Sequence, residues 1–358
     1  MFPQREMSVG GVHVDLSGVN VDHNMDEIRK CVKEAMATYG LVMIKGFDNG
    51  EQDFCPASSM EELMLAFGPK EEMSDYSNTP MDPLEDGNPD ATKCEVPGHP
   101  RVRVLGNTVD ESGKPTALLA KAGYEWHQDT GGKGSSAGYS LLYCLESPDS
   151  GAETLFAKCS TAWERLTPKQ KEFIENVDAV YSNQSTAGGP AAFDAAFGLR
   201  MNAAGTRRIR AAHRKRAGWK LNEKNKEICG LDRQGKKAFW PGAKNFEYFV
   251  VNGEKIDPYK SQCMLEELMN QAVGLIKSGE VDENCETITK TEFDPEVVMP
   301  ISWSKGYAVI WDNSMWLHST TPTNIYSPGK RVMLQVIYTP GSSISSYTDL
   351  SGDTDIAA

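Results

Sequence analysis

His127 and Asp129 stand two residues apart in "YEWHQDTGG", residues 124–132, of a chain that holds only six histidines. Side chains alternate along an extended strand, so this imidazole and this carboxylate face the same way. Two readings compete: a polar pair at a strand end, or two metal ligands that need a third. A third donor is available in "WDNSMWLHSTTP", where His318 follows a strongly apolar strand pattern. The remaining histidines, at 13, 23, 99 and 213, have no comparable neighbour in the sequence.

Two histidines and one carboxylate leave three positions open on an octahedral ion, the facial arrangement that suits non-haem Fe(II) and oxygen chemistry. Thirteen residues beyond His318, Arg331 opens "RVMLQVIYT". Period two places Arg331, Met333 and Gln335 on one face of that strand and Val332, Leu334, Val336 and Tyr338 on the other. If the arginine faces inward it needs an anion, because an unpaired buried charge is costly. A carboxylate held by two parallel hydrogen bonds is the natural partner. The competing reading is an exposed arginine on an edge strand.

Strands from distant parts of the chain must bring these groups together. The first predicted element is a helix after "VDHN", with Asn24 as cap and Glu27 completing a capping box. Ile28, Cys31, Val32, Ala35 and Met36 form its apolar stripe and Gly40 stops it. "LVMIKGF" reads as a strand, and a second helix is expected from Met60 to Phe67 with Ser59 as cap. Residues 69–125 are rich in Pro, Asp and Gly and read as long loops, with "RVRVLGN" as one strand. "YSLLYCL" (139–145) reads as a buried strand. Thr167, Pro168 and Gln170 mark a helix start, and a long amphipathic helix fits 258–277. Strands return at 307–311 and 331–339, and the tail 341–358 has a disordered composition. Strands at both ends with helices and loops between them give an α+β class.

The bulk numbers narrow the function. The 358 residues, 39% hydrophobic, suffice for a sizeable core. A net charge of -13 argues against nucleic acid as a partner. The eight cysteines show no CxxC pair, which reads as reduced thiols in a reducing compartment. No apolar run approaches the roughly 20 residues that span a bilayer. A cytoplasmic protein without a membrane partner is expected.

Together "WHQD", "SGAETLFA" (150–157), "IWDNSMWLH" and "GKRVMLQV" resemble the taurine dioxygenase-like (TauD/TfdA) branch of the Fe(II)/2-oxoglutarate-dependent oxygenases. "EAMATYGLVMIKGF" and "HPRVRVLGN" also resemble that family's N-terminal part. The resemblance implies a double-stranded β-helix, or jelly roll, within one domain over residues 1–340, with 183–300 as a helical and loop insertion. It implies His127, Asp129 and His318 as iron ligands. It implies Arg331 and Thr154 as partners of 2-oxoglutarate, with O2 as the second cosubstrate. Trp311 and Asn313 sit in the matching motif as structural residues. A carboxylate at 129 implies oxygen rebound, desaturation or ring closure, since halogenating relatives carry a small residue there.

The chain departs from the family at several places. Gln335 stands where many relatives carry a second arginine, and Met73 and Gly123 stand where taurine-oxidising members have a histidine and an asparagine. Met73 and Gln335 are therefore expected at the substrate. The basic run "RRIRAAHRKR" (207–216) is either a solvated face or a lid. As a lid, Arg207, Arg208 and Arg210 would attract a small anionic, carboxylate-bearing metabolite in place of taurine. "FWPGAKNFEYF" (239–249) reads as a packed loop. Two other classes remain open. One is a metal-binding jelly roll without catalysis. The other is a serine hydrolase built on Ser136 of "GSSAG", which requires a strand before the motif and a helix after it.

Overall fold

The structure is a computed structural model. It describes residues 2–48, 54–81, 90–114, 116–117, 126–129, 138–182, 223–242, 246–277, 291–321 and 329–341. The N-terminal strands β1 (Gln4–Glu6) and β2 (Val12–Asp15) precede helix α1 (Met25–Tyr39) and strand β3 (Leu41–Lys45). The stripe expected on α1 is buried, and Gly40 closes the helix in the left-handed region at φ 66°. A capping box does not form. Asn24 takes the cap position, but its amide donates to the carbonyl of Asn20 and leaves the helix N–H groups alone. Helix α2 spans Pro56–Met64 and starts three residues before the expected cap. Pro56, with its φ already set for a helix, begins it, while Ser59 donates to Asp22.

Strands β4 (Glu95–Val96), β5 (His99–Gly106), β6 (Tyr139–Glu146) and β7 (Thr154–Lys158) follow. Two helices come next, α3 (Cys159–Glu164) and α4 (Pro168–Glu175), and the Thr167–Gln170 capping box on α4 is complete. Residues 183–300 are the stretch expected as a helical and loop insertion. Its described residues open with short strands that continue from β8 (Val177–Ser182): β9 (Glu223–Lys226), β10 (Cys229–Leu231), β11 (Lys237–Phe239), β12 (Phe246–Val251) and β13 (Glu254–Lys255). Asn252 and Gly253, both at positive φ, make the two-residue turn between β12 and β13. An Asn-Gly pair between apolar runs is a strong hairpin signal. The pair stands in "VVNGEK", and β12, which begins at Phe246, makes residues 246–249 of the expected packed loop 239–249 a strand. Helix α5 (Pro258–Ala272) ends short of 277 because β14 (Leu275–Lys277) begins there and pairs with β15 (Glu292–Phe293). The last strands are β16 (Val298–Ile301), β17 (Ala308–Asp312), β18 (Trp316–Thr320) and β19 (Val332–Tyr338).

Among the described residues the largest sheet runs β1-β2-β3-β17-β6-β19-β5-β4, and a second runs β16-β7-β18. One face of the large sheet packs under α1 and α2, through Ile28, Val32, Leu63, Leu141, Ile310 and Val336. The other face meets the small sheet, and Leu142, Val309, Trp311 and Met333 share a core with Phe156, Met299 and Trp316. The class is α+β, with two sheets face to face as a double-stranded β-helix requires. Strand β19 is buried on both faces, which excludes the exposed edge-strand reading of Arg331. No helix among the described residues is long and apolar enough to cross a membrane. The tail 342–358, Gly123, Ser136 and the run 207–216 lie outside the described residues. Strand β6 nevertheless starts at Tyr139, directly after "GSSAG", where a nucleophile elbow needs a helix. That removes the hydrolase reading.

Candidate active site

The site forms where the segment 126–129 meets β18. His127 is not part of a regular strand, as its spacing suggested. A single antiparallel bridge joins it to His318, each backbone N–H donating to the other's carbonyl at 2.9 and 3.0 Å. That bridge sets the two imidazoles side by side, with centroids 4.1 Å apart. Asp129 Oδ1 then lies 3.7 Å from His127 Nε2 and 3.8 Å from His318 Nε2. Both spans exceed a hydrogen bond, so the three atoms face one another around a gap. Each residue's ligand atom lies within 4.8 Å of the others', a span that one metal ion can bridge.

The second oxygen of Asp129 is already engaged. Ser140 Oγ donates to Oδ2 at 2.7 Å, and Gln335 Nε2 donates to the same atom at 3.0 Å. Two donors on Oδ2 leave Oδ1 as the ligand atom, so the carboxylate would bind a metal through one oxygen. The donor set of two imidazole nitrogens and one carboxylate oxygen fits Fe(II) and leaves coordination positions for small molecules.

Asn313 holds this arrangement from behind. It is fully buried. Its Oδ1 accepts from the Asp129 N–H at 3.0 Å and from Trp311 Nε1 at 3.1 Å. Its amide donates to the Gly138 carbonyl at 3.1 Å and to Ser140 Oγ at 3.0 Å. The expected structural role of Asn313 and Trp311 therefore has a concrete form. The neighbouring Asp312 has its carboxyl pushed up by burial, against the pull of the Arg233 guanidinium bonded to it. Sequence reasoning missed Arg233 because nothing local marks it. It belongs to the β10–β11 turn, far along the chain from Asp312.

Arg331 and Thr154 also converge. Arg331 is 7% exposed, and its Nη2 donates to Thr154 Oγ1 at 3.2 Å. Trp303 Nε1 donates to the same hydroxyl at 2.9 Å. With two donors pointing at its oxygen, the Thr154 hydroxyl keeps its own proton to give. The Arg331 backbone is pinned by Asn107, whose Oδ1 accepts from the Arg331 N–H at 2.8 Å. Gly106 makes this approach possible, since a Cβ there would sit 2.2 Å from the Arg331 carbonyl oxygen.

The expected substrate contacts fare differently. Met73 is a core residue, 1% exposed and packed on the α1–α2 side of the large sheet. Its aliphatic chain is spent there instead of at a substrate. Gln335 is at the site but bonds Asp129 and Arg103. Arg207, Arg208 and Arg210 lie outside the described residues.

Known proteins share the family pattern and the fold of this chain. The model of the taurine catabolism dioxygenase TauD, TfdA family matches residues 6–338. A taurine dioxygenase from Burkholderia xenovorans is similar in structure, with a TM-score of 0.55 at 13% identity, covering 94% of this chain and 89% of that one. AAD-2, solved with Mn(II) and N-oxalylglycine, gives a TM-score of 0.57 at 16% identity, covering 96% of this chain and 98% of that one. At such identities the likeness establishes the fold. An alkylsulfatase of Acinetobacter baylyi is 26% identical over 214 residues, which are 59% of this chain and 55% of the alkylsulfatase. The match thus spans about half the length of that curated relative.

Proposed function

This chain belongs to the TauD, TfdA family of dioxygenases, and on that premise we propose that it is a 2-oxoglutarate-dependent dioxygenase that oxidises an unactivated C–H bond of a small, carboxylate-bearing metabolite. The observation that carries this reading is the convergence of His127, Asp129 and His318, with Asp129 offering one oxygen. These three residues would hold Fe(II). Bound there, the iron supplies oxidation by O2 coupled to decarboxylation of 2-oxoglutarate to succinate and CO2.

The chain's own groups bind and orient the reactants. Arg331 pairs with the distal carboxylate of 2-oxoglutarate, and Thr154 donates its hydroxyl proton to it. Trp303 and Arg331 keep the hydroxyl turned that way. Phe156 and Trp311, both fully buried, pack beside His318 and keep water away from its ring. Ser140, Gln335 and Asn313 fix the Asp129 rotamer. Residues 1–340 act as one domain, and the product is a hydroxylated, desaturated or ring-closed metabolite of specialised metabolism. The anionic substrate is supported by the basic run 207–216, which stands out in a chain of net charge -13.

The test has two parts. Replacing His127, Asp129 or His318 by alanine should abolish turnover and iron binding, and full iron occupancy in the His318→Ala protein would sink the triad. Succinate release is then screened over taurine, free amino acids, N-alkylated amino acids and neutral terpenoids. Strong coupling to a neutral terpenoid, unaffected by joint neutralisation of Arg207, Arg208 and Arg210, would reject the anionic substrate. A binding module without catalysis would release no succinate at all.

A further inference from the structure

Arg103 lies on β5, directly across the ladder from Gln335 on β19. Its side chain is buried, at 8% exposed, and its guanidinium stands 4.8 Å from the centre of the Tyr76 ring. Arg103 Nε donates to Gln335 Oε1 at 2.8 Å, and Nη2 donates to the same oxygen. Gln335 Nε2 in turn donates to Asp129 Oδ2.

A primary amide has one accepting end and one donating end. The guanidinium has donors and no acceptor, so it can meet Gln335 only at the carbonyl oxygen. That fixes the amide the other way round at Asp129, where an N–H must point at the carboxylate. Were the amide reversed, its oxygen would face the Asp129 oxygen and repel it. The cation also polarises the amide and strengthens the N–H donor.

We propose that Arg103 is a positioning residue that acts through Gln335 to hold Asp129 as a ligand by one oxygen. The inference rests on the triad reading above. Loss of an outer partner of a metal ligand typically weakens metal affinity 10- to 100-fold. Lysine keeps the charge but cannot place two parallel donors on one oxygen.

The experiment is anaerobic calorimetric titration of Mn(II) into the full chain, with the visible spectrum of the Co(II) form as a second readout. Arg103→Met should raise the Mn(II) Kd 10- to 100-fold and change the Co(II) bands. Arg103→Lys, the variant that better preserves folding, should fall between it and wild type. Gln335→Met should weaken binding similarly, and adding Arg103→Met to it should cause no further loss, because the arginine then has no amide to orient. Thermal melts confirm that each variant is folded. An unchanged Kd and spectrum in a folded Arg103 variant, or additive losses in the double variant, would overturn the relay while leaving the triad intact. Failure of the wild-type chain to bind Mn(II) would instead overturn the triad, and the relay with it.

Discussion

Asn313→Ala is the most informative single change outside the triad. The substitution removes four hydrogen bonds at once, and no polar atom of alanine replaces them. It strands the Trp311 indole N–H and the Asp129 N–H, while the Gly138 carbonyl keeps the backbone N–H of residue 313 and the Ser140 hydroxyl can rotate to another partner. Each buried group left without a partner costs about 1–3 kcal/mol. Water entering the space recovers part of this, so the net loss should be roughly 2–4 kcal/mol, above the common range for single substitutions. An unfolding entropy of about 2.1 cal/mol/K per residue gives about 0.75 kcal/mol/K for the whole chain. The melting temperature should therefore fall by about 3–5 °C. Asn313→Asp should melt between the two, since its carboxylate still accepts from Asp129 and Trp311 but cannot donate to Gly138 or Ser140. Its added negative charge beside Asp129 is new. Scanning calorimetry of the metal-free protein measures the stability cost, and Mn(II) titration should show about 10- to 100-fold weaker binding in Asn313→Ala. A melting point within 1 °C of wild type, with unchanged metal affinity, would refute the reasoning.

Three further outcomes are expected. At 100 times its Kd, 2-oxoglutarate should stabilise the anaerobic Mn(II) protein by roughly 2.7 kcal/mol; Arg331→Ala should lose most of the resulting melting shift, and retention of the full shift would show the arginine to be misassigned. Gly106→Ala drives a Cβ against the Arg331 carbonyl, so it should cost about 1–3 kcal/mol and weaken 2-oxoglutarate binding more than metal binding; equal effects on both would count against the link. Burial pushes the thiols of Cys94 and Cys144 up to about 11 and that of Cys159 well above its ordinary value. All three are therefore protonated and enclosed at pH 8, and mass spectrometry after brief iodoacetamide treatment should find exposed Cys55 labelled before any of them; equal labelling of Cys144 would contradict the packing.

The sequence alone determined the local signals and the ligands they mark. His127 and Asp129 are two residues apart, so a strand-like segment turns both the same way whatever surrounds it. Gly40, Thr167 and Gln170 act within a turn of their own helices, and each caps its helix in the structure. Asn24 and Ser59 carry the same kind of signal without making the cap: the Asn24 amide donates to the Asn20 carbonyl four residues upstream, and the Ser59 hydroxyl donates to the distant Asp22 carboxylate. The Asn252–Gly253 hairpin is equally local, since both residues sit at positive φ within a two-residue turn. Only the tertiary structure decided how the carboxylate is held. Gln335 lies 206 residues from Asp129, and Arg103 lies 232 residues from Gln335. No periodicity connects them, because their contact depends on which strands pair and in what register. Burial completes the distinction. Met73 and Gln335 looked alike as substrate contacts in the sequence, but one packs into an apolar core and the other pairs across a ladder with a buried cation. Register and burial are properties of the assembled sheets, and they turn a readable set of ligands into a site with one defined geometry.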